Sequence, residues 1–485
     1  MNKKIKELFR KIKEIMKLVS SIGKNMRFEK RKSKMDAVKF LKASIIANLE
    51  KEKPSFDDYA RCFYKITKGK SISRQGFWDR IKPDTINFLK NFFFKLLEIT
   101  IGSLMTVPKL LKSFSEVYLI DSTMISLPET LKEHYKGYGG AASKSAMRIQ
   151  CVYNVLRKAY EKIEIGDINL SDYKFINSVI DTFKAVSLIM FDLSYVGIEV
   201  LKKIINNGSY FLCRFPFYNW TLYDINDKNK KLDLLSILEN NCDRIVEFCA
   251  LISKKKLPVR LVAFPITKAK KEEVIEKRLK KAESNRNSKS RKSLSENYIK
   301  FLGWTIYITN APSELIKTRD IVLLYRLRWY IELIFKLWKT YFNINEFNST
   351  KKEKVEFIVY IRLIILCFYC LFSNEATELI DNEDFDYSDF SCVKIFKEYF
   401  SNFLNSLDSS VVCFSNSFKT YVSEIEYYGM RNKNSSRDNI LIKLRTHTRG
   451  GYPILLYNNL DISTFYSQFK PMVPICSNCE SKGGS

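Results

Sequence analysis

Five apolar, β-branched or aromatic runs, punctuated by two amphipathic stretches, restrict residues 115–215 to one class of architecture. Val117-Tyr118-Leu119-Ile120 reads as a buried strand, and Met147 to Val155 and Tyr160 to Ile168 as a second and third. A helix over Asp172 to Phe183 follows, then an apolar strand, Val186 to Phe191. A helix over Gly197 to Asn206 and a strand over Tyr210 to Phe215 complete the series. Three strands, helix, strand, helix and strand predict a mixed α/β layer fold.

The flanking segments differ in texture. Residues 1–34 carry thirteen Lys or Arg against three Glu, with Ile5, Leu8, Phe9, Ile12, Ile15 and Met16 at helical spacing. Such a basic amphipathic helix either packs on the next domain or contacts DNA. Ser55-Phe-Asp-Asp has the form of a capping box, opening a helix that ends near Lys68-Gly69-Lys70. Ser73 caps a second helix, in which Phe77 and Ile81 face a core while Arg74, Gln75, Trp78 and Arg80 remain available. Two short helices joined by a Gly-containing turn fit a helix-turn-helix, although any helical hairpin has this form.

Residues 216–300 interrupt the α/β order, with a strand over Val259 to Phe264 and a densely basic stretch from Lys268 to Lys292. Charge runs of this kind are usually solvated, but on a basic chain they can also meet phosphate. A strand over Trp304 to Thr309, a turn at Asn310-Ala311-Pro312 and one long helix from about Thr318 to Phe342 follow. Residues 351–485 read as helical at first and irregular later. The chain carries 81 Lys and Arg against 53 Asp and Glu, a formal charge of +28, which points to a polyanionic partner.

Other classes are excluded by what the chain lacks. Its longest apolar stretch, Phe357 to Phe372, contains Arg362 and falls short of the roughly twenty residues of a membrane span, so a buried helix is expected. The N-terminus has no apolar core followed by a small-residue cleavage site, which predicts a cytoplasmic protein with no membrane partner, and the chain's basic charge makes association with the nucleoid the expectation if its polyanionic partner is DNA. The last residues, Gly483-Gly484-Ser485, are set aside as an appended tail. Eleven cysteines form no disulfide framework, and neither Cys367/Cys370 nor Cys476/Cys479 has the second ligand pair that a zinc site needs. With only His134 and His447, nucleases that depend on paired histidines are excluded.

The chemistry concentrates in three acids. On the helix at 318–342, Tyr325, Arg328, Glu332 and Lys339 sit at offsets of 0, 3, 7 and 14, within about a 60° arc. Leu324, Leu327, Ile331, Ile334, Phe335 and Trp338 occupy the other side, so the polar stripe is expected to face away from the core. Taken alone, such a stripe reads equally well as ion pairs on a solvated face. Asp121 and Asp192 each stand immediately after a buried-strand run. Carboxylates there are common turn and cap residues. In open α/β sheets, however, ligands bind at strand ends, and converging carboxylates supply the hard oxygen donors that Mg²⁺ prefers. Two such ions suit phosphoryl transfer.

At these residues the chain resembles the DDE transposases of the insertion-sequence-four type, the hairpin-forming cut-and-paste group, over about residues 36–345. The resemblance is strongest in Tyr325-x2-Arg328-x3-Glu332-x6-Lys339. A first block is matched by Leu119-Ile120-Asp121-Ser122-Thr123 and the Gly137 to Gly140 stretch. A second is matched by Phe191-Asp192-Leu193-Ser194-Tyr195 and Tyr210 to Arg214, although Leu193-Ser194 stand where the family usually carries an Arg-Gly-Tyr-like run. The resemblance implies a ribonuclease-H-like mixed-sheet core in which Asp121, Asp192 and Glu332 bind two Mg²⁺ ions, with Mn²⁺ as a possible substitute. It implies that Tyr325, Arg328 and Lys339 contact DNA phosphates, and that Trp304, twenty-one residues before Tyr325, stacks on a flipped base unless it is a core aromatic. Arg214 belongs to the same DNA-facing set, and Arg74 and Gln75 are the candidate readers in the N-terminal helices.

The expected organisation is a helical DNA-binding domain at 1–110 and a first part of the catalytic core at 111–215. A β-rich insertion at 216–300, a second core part at 301–350 and a mainly helical region at 351–485, possibly used for dimerisation, complete it. The expected partners are transposon terminal inverted repeats and target DNA, bound by a homodimer. The rivals are a ribonuclease-H-like nuclease without strand transfer, a catalytically silent transposase-derived DNA-binding protein and, more remotely, a tyrosine recombinase.

Overall fold

Apolar runs become strands and amphipathic runs become helices in the computed structural model, which describes residues 2–29, 35–100, 109–139, 143–242, 244–284, 295–380, 387–429 and 454–456. In chain order the helices are α1 (Lys3–Asn25), α2 (Ala37–Glu50), α3 (Phe56–Ile66), α4 (Arg74–Trp78), α5 (Pro83–Thr100), α6 (Asp172–Val179), α7 (Ile198–Asn206) and α8 (Leu234–Glu239). They continue with α9 (Lys268–Ser284), α10 (Glu296–Phe301), α11 (Ile321–Arg326), α12 (Arg328–Thr340), α13 (Lys352–Ile380), α14 (Asp389–Ser406) and α15 (Val411–Tyr428). The strands are β1 (Val117–Ser126), β2 (Ala146–Asn154), β3 (Ala159–Gly166), β4 (Leu188–Phe191), β5 (Tyr210–Arg214) and β6 (Leu222–Asp224). After them come β7 (Lys231–Leu232), β8 (Ile245–Ile252), β9 (Leu257–Pro265), β10 (Trp304–Thr309) and β11 (Ile454–Leu456). The class is mixed α/β.

The chain divides into two compact units. One comprises Met1–Val107, Asp121–Ser171 and Tyr330–Ile442. Its core is built on α13, which is long and apolar enough in composition to cross a membrane but has 94% of its most apolar window buried inside the protein. Phe40, Tyr59 and Phe77 from α2, α3 and α4 gather on Phe357 of α13, with ring centroids 5.4–6.4 Å from it. Further along α13, Phe372 meets Phe396, Phe403 and Phe418 of α14 and α15. The buried face of α1 contains all six apolar residues read from the sequence, and Phe9 lies 5.3 Å from Phe414 of α15. The helix therefore packs by its apolar stripe, which leaves its lysine face outward. Three strands in the order β3-β2-β1 complete this unit.

Three N-terminal expectations are met and one is revised. Ser55 and Asp58 form a reciprocal capping box at the start of α3, and Ser73 caps α4 through the Gly76 N–H. Phe77 and Ile81 are buried as expected. However, α4 spans only five residues, and two of the side chains expected to be available are engaged. Arg80 donates to the Phe28 and Met35 carbonyls, and the Trp78 ring packs edge-on against Phe56 at 4.4 Å.

The other unit comprises Pro108–Ile120, Asp172–Trp329 and Lys443–Ser485. Its mixed sheet has the order β1-β4-β5-β10-β9-β8-β6-β7, with β11 parallel on β8. The β1/β4 and β4/β5 pairs are parallel, and β4 is buried along its whole length, which is why it reads as an unbroken apolar run. The remaining neighbours along this order are antiparallel. Strand β8 had no sequence forecast. Together with β6 and β9 it carries residues 216–300 outward from β10 as a continuation of the same sheet. The basic stretch is helical as α9 over its described part, where Lys270, Lys277 and Lys280 pair with Glu273 and Glu276 one turn away.

Candidate active site

Strand register sets the two aspartates. β1 and β4 pair from Val117↔Leu188 to Ile120↔Phe191, and each aspartate is the residue that follows the last pair. Here the strand-end expectation is corrected for Asp121. β1 continues to Ser126, so Asp121 lies within a strand whose parallel neighbour has already ended. Its Oδ1 accepts the Ser122 N–H at 2.8 Å. Asp192 leads a single 3₁₀ turn, Leu193–Tyr195, without capping it. Both aspartates are half-exposed.

The signature helix departs further from expectation. It is two helices, α11 and α12, separated at Leu327, whose N–H donates to the Leu324 carbonyl in a tight three-residue turn. The apolar side matches the forecast: Leu324, Leu327, Ile331, Ile334, Phe335 and Trp338 are all buried. Glu332 is exposed and Arg328 and Lys339 are half-exposed, as a polar face requires. Tyr325 is the correction, because it is buried at 5% exposure. Its ring lies 5.0 Å from Tyr307, and the guanidinium groups of Arg214 and Arg328 stand 5.9 Å from its centroid. Its hydroxyl donates to the Phe191 carbonyl at 3.4 Å, one residue before Asp192. Burial raises the phenol's pKa despite the neighbouring arginine. Burial also lowers that of the Lys339 ammonium.

The other forecast residues are placed as follows. Arg214 ends β5 opposite Tyr307 and is exposed. Trp304 begins β10 opposite Pro265 and is half-exposed. Arg74 and Gln75 are exposed on α4, with Gln75 donating to Asp79 at 2.8 Å. Cys367 and Cys370 are buried in α13, while Cys476 and Cys479 lie outside the described residues. Among the described residues no three His, Cys, Asp or Glu side chains are gathered as a metal-ligand set. The donor chemistry nevertheless suits a hard divalent ion, since Asp121 and Asp192 are half-exposed carboxylates and Glu332 is an exposed one.

Two of the buried arginines, Arg260 and Arg362, have a supporting role that the sequence did not reveal. Arg260 of β9, 2% exposed, pairs with Glu247 of β8 and donates to the Ile316 carbonyl at 2.6 Å. It also reaches Thr318, where the chain enters α11. Arg362 of α13, also 2% exposed, donates to the carbonyls of Glu52, Asn343 and Glu346 and to Asn48 Oδ1. Asn343 and Glu346 follow α12, so the segments entering and leaving the signature helices are each held by a cation buried among acceptors. An arginine inside an apolar run was the available signal in both cases.

The chain is similar in sequence to known proteins. The profile described as the transposase DDE domain matches residues 112–368. The transposase for insertion sequence element IS1151 of Clostridium perfringens is 28% identical over 374 residues, 73% of this chain and 78% of that protein. The transposase for insertion sequence element IS231F of Bacillus thuringiensis subsp. israelensis is 27% identical over 356 residues, 69% of this chain and 73% of the relative. A piggyBac transposase synaptic complex with hairpin DNA shares 10% identity at a TM-score of 0.46, covering 88% of this chain and 84% of the other, too little to fix a common fold. With more than half of its length matched by the profile, the chain belongs to the DDE transposase family of insertion-sequence enzymes.

Proposed function

We propose that this enzyme carries out cut-and-paste transposition from an active site of Asp121, Asp192 and Glu332 on a ribonuclease-H-like core. The carrying observation is the register that leaves Asp121 and Asp192 just beyond the last pairs of the parallel β1/β4 ladder. Supporting it, Glu332 is exposed on α12, four residues after Arg328 and seven before Lys339. The three carboxylates would hold two Mg²⁺ ions, or Mn²⁺ in their place, which supply charge stabilisation to the attacking and leaving oxygens.

Arg328, Lys339 and Arg214 hold backbone phosphates near the cleaved bond. Tyr325 orients the end of β4 through the Phe191 carbonyl and so supports the site from within. Hydrolysis at each inverted repeat frees a 3′-hydroxyl. That hydroxyl attacks the opposite strand to form a hairpin, with Trp304 stacked on the displaced base. After the hairpin reopens, the 3′-hydroxyl attacks target DNA. The insertion at 216–300 and the N-terminal helices, Arg74 and Gln75 included, grip the ends, and a homodimer pairs them through residues 351–485.

The test is cleavage of DNA carrying the element's ends. Glu332→Gln loses charge stabilisation worth several kcal/mol, so cutting falls by about a thousandfold while end binding persists. Wild-type cutting by that variant sinks the assignment. Hairpin ends and integrated product on a gel distinguish transposition from simple nicking.

A further inference from the structure

Beyond Arg214 the chain builds a small aromatic surface that the reaction above does not use. Phe215 N–H donates to the Ile306 carbonyl at 3.0 Å, extending the β5/β10 pairing, and the chain then turns through Pro216-Phe217-Tyr218-Asn219. Asn219 N–H closes this turn on the Pro216 carbonyl at 2.9 Å, and the proline ring fixes the first backbone angle. Tyr218 at the tip is 55% exposed. Its ring centroid lies 5.1 Å from Tyr298 at an interplanar angle of 32° and 4.5 Å from Phe217 at 45°. Phe217 in turn stacks on Phe301 at 4.6 Å and 26°.

Tyr298 and Phe301 come from α10, a helix that buries none of its residues. The rings therefore form a shallow ledge rather than a core. Cations border it. Lys300 lies on α10 itself, Arg214 stands two residues before the turn, and the Lys271 side chain lies along Gly303 between α10 and β10. Two acids stand against these three, Glu296 and the Lys300 partner Glu239 at 2.8 Å.

We propose that Tyr218 and Tyr298 form a stacking ledge for an unpaired base of a DNA strand, a subsite that rests on the DNA-processing reading above. A fixed turn supports the exposed ring from below, and a purine or pyrimidine face added on top continues the stack. Every base has such a face, so the ledge accepts any sequence but takes only bases that have left the duplex, at single-stranded ends or hairpin tips. The bordering cations hold the adjoining phosphates.

The test is fluorescence anisotropy of the full chain in EDTA with a labelled single-stranded oligonucleotide and with a blunt duplex. Loss of one base stack weakens single-strand binding about 5- to 100-fold. Tyr218→Ala and Tyr298→Ala are expected to show this loss, with duplex affinity changed less than about twofold, and Tyr218→Phe is expected to bind as wild type does. Tyr218→Leu should fail like Ala, because the ledge needs a ring face. Three results overturn the ledge: single-strand affinity retained by Tyr218→Ala, equal losses for both DNA forms, or rescue by Leu. Each leaves the transposase reading standing if wild type binds DNA. A wild-type protein that binds neither form removes both.

Discussion

Replacing Arg362 by Met tests whether one cation organises the segment that follows α12. The guanidinium is 2% exposed and donates to four oxygens, at 3.2 Å to Asn48, 2.6 Å to Glu346, 2.5 Å to Glu52 and to Asn343 as well. Burial holds its pKa down to about 10, still charged at neutral pH. Hydrogen bonds from a charged donor contribute about 1.5–3 kcal/mol each, so four would total roughly 6–12 kcal/mol if they added. Desolvating the cation costs several kcal/mol in the other direction, and Met refills much of the apolar stem's volume. The net loss expected is about 3–5 kcal/mol, a large part of the ~5–15 kcal/mol that holds a domain together. Urea unfolding followed by far-ultraviolet circular dichroism should show a midpoint lowered by about 1 M or more, for a slope of ~3 kcal/mol/M. Arg362→Lys keeps the charge but not the four-way reach, and should lose about half as much. If the Met variant unfolds within about 1 kcal/mol of wild type, the four acceptors are satisfied without the arginine and the hub is not structural.

Four smaller perturbations probe other parts of the protein. Ser55→Ala removes the cap of α3 and should cost about 1 kcal/mol in thermal unfolding. Burial raises the Asp58 carboxyl, but hydrogen bonds from Lys51 and Ser55 outweigh it and bring it down to about 2 from an ordinary 3.8. The capping box's contribution is therefore complete above about pH 4 and is lost as pH falls through about 2, and Asp58→Asn should abolish that acid-side slope. Tyr325→Phe deletes a long, 3.4 Å hydrogen bond and should cost under about 1 kcal/mol of stability. If the hydroxyl also meets DNA, cleavage should fall about tenfold, and unchanged cleavage would remove Tyr325 from the DNA contacts. Trp338→Phe loses the indole donation to the Tyr160 hydroxyl at 3.0 Å and should lower stability by about 1–2 kcal/mol, measured by the same melts.

Local pattern determined much of this protein. Uninterrupted apolar runs marked β4 and β5 because central parallel strands are covered on both faces. Amphipathic period marked α1 and the buried face of α12, and side-chain chemistry marked the caps of α3 and α4, since each depends on residues at most four positions apart. The same locality made Asp121, Asp192 and Glu332 legible as candidates, by position after an apolar run or on a polar stripe.

Tertiary structure decided the rest, because it turns on which backbone meets which. The β8/β9 hairpin was missed, as its turn places Ser253 and Lys256 at positive φ with no glycine or asparagine to announce it. Where β1 ends cannot be read from β1 alone, since its neighbour β4 stops at Phe191 while β1 runs on. Tyr325 shares a helical stripe with Glu332 in sequence. It is buried because the chain breaks at Leu327 and the ring finds Tyr307 and the Phe191 carbonyl, partners more than a dozen residues away. Arg260 and Arg362 each interrupt an apolar run in the sequence, and only the carbonyls that converge on them make them supports for the helices that carry the candidate chemistry.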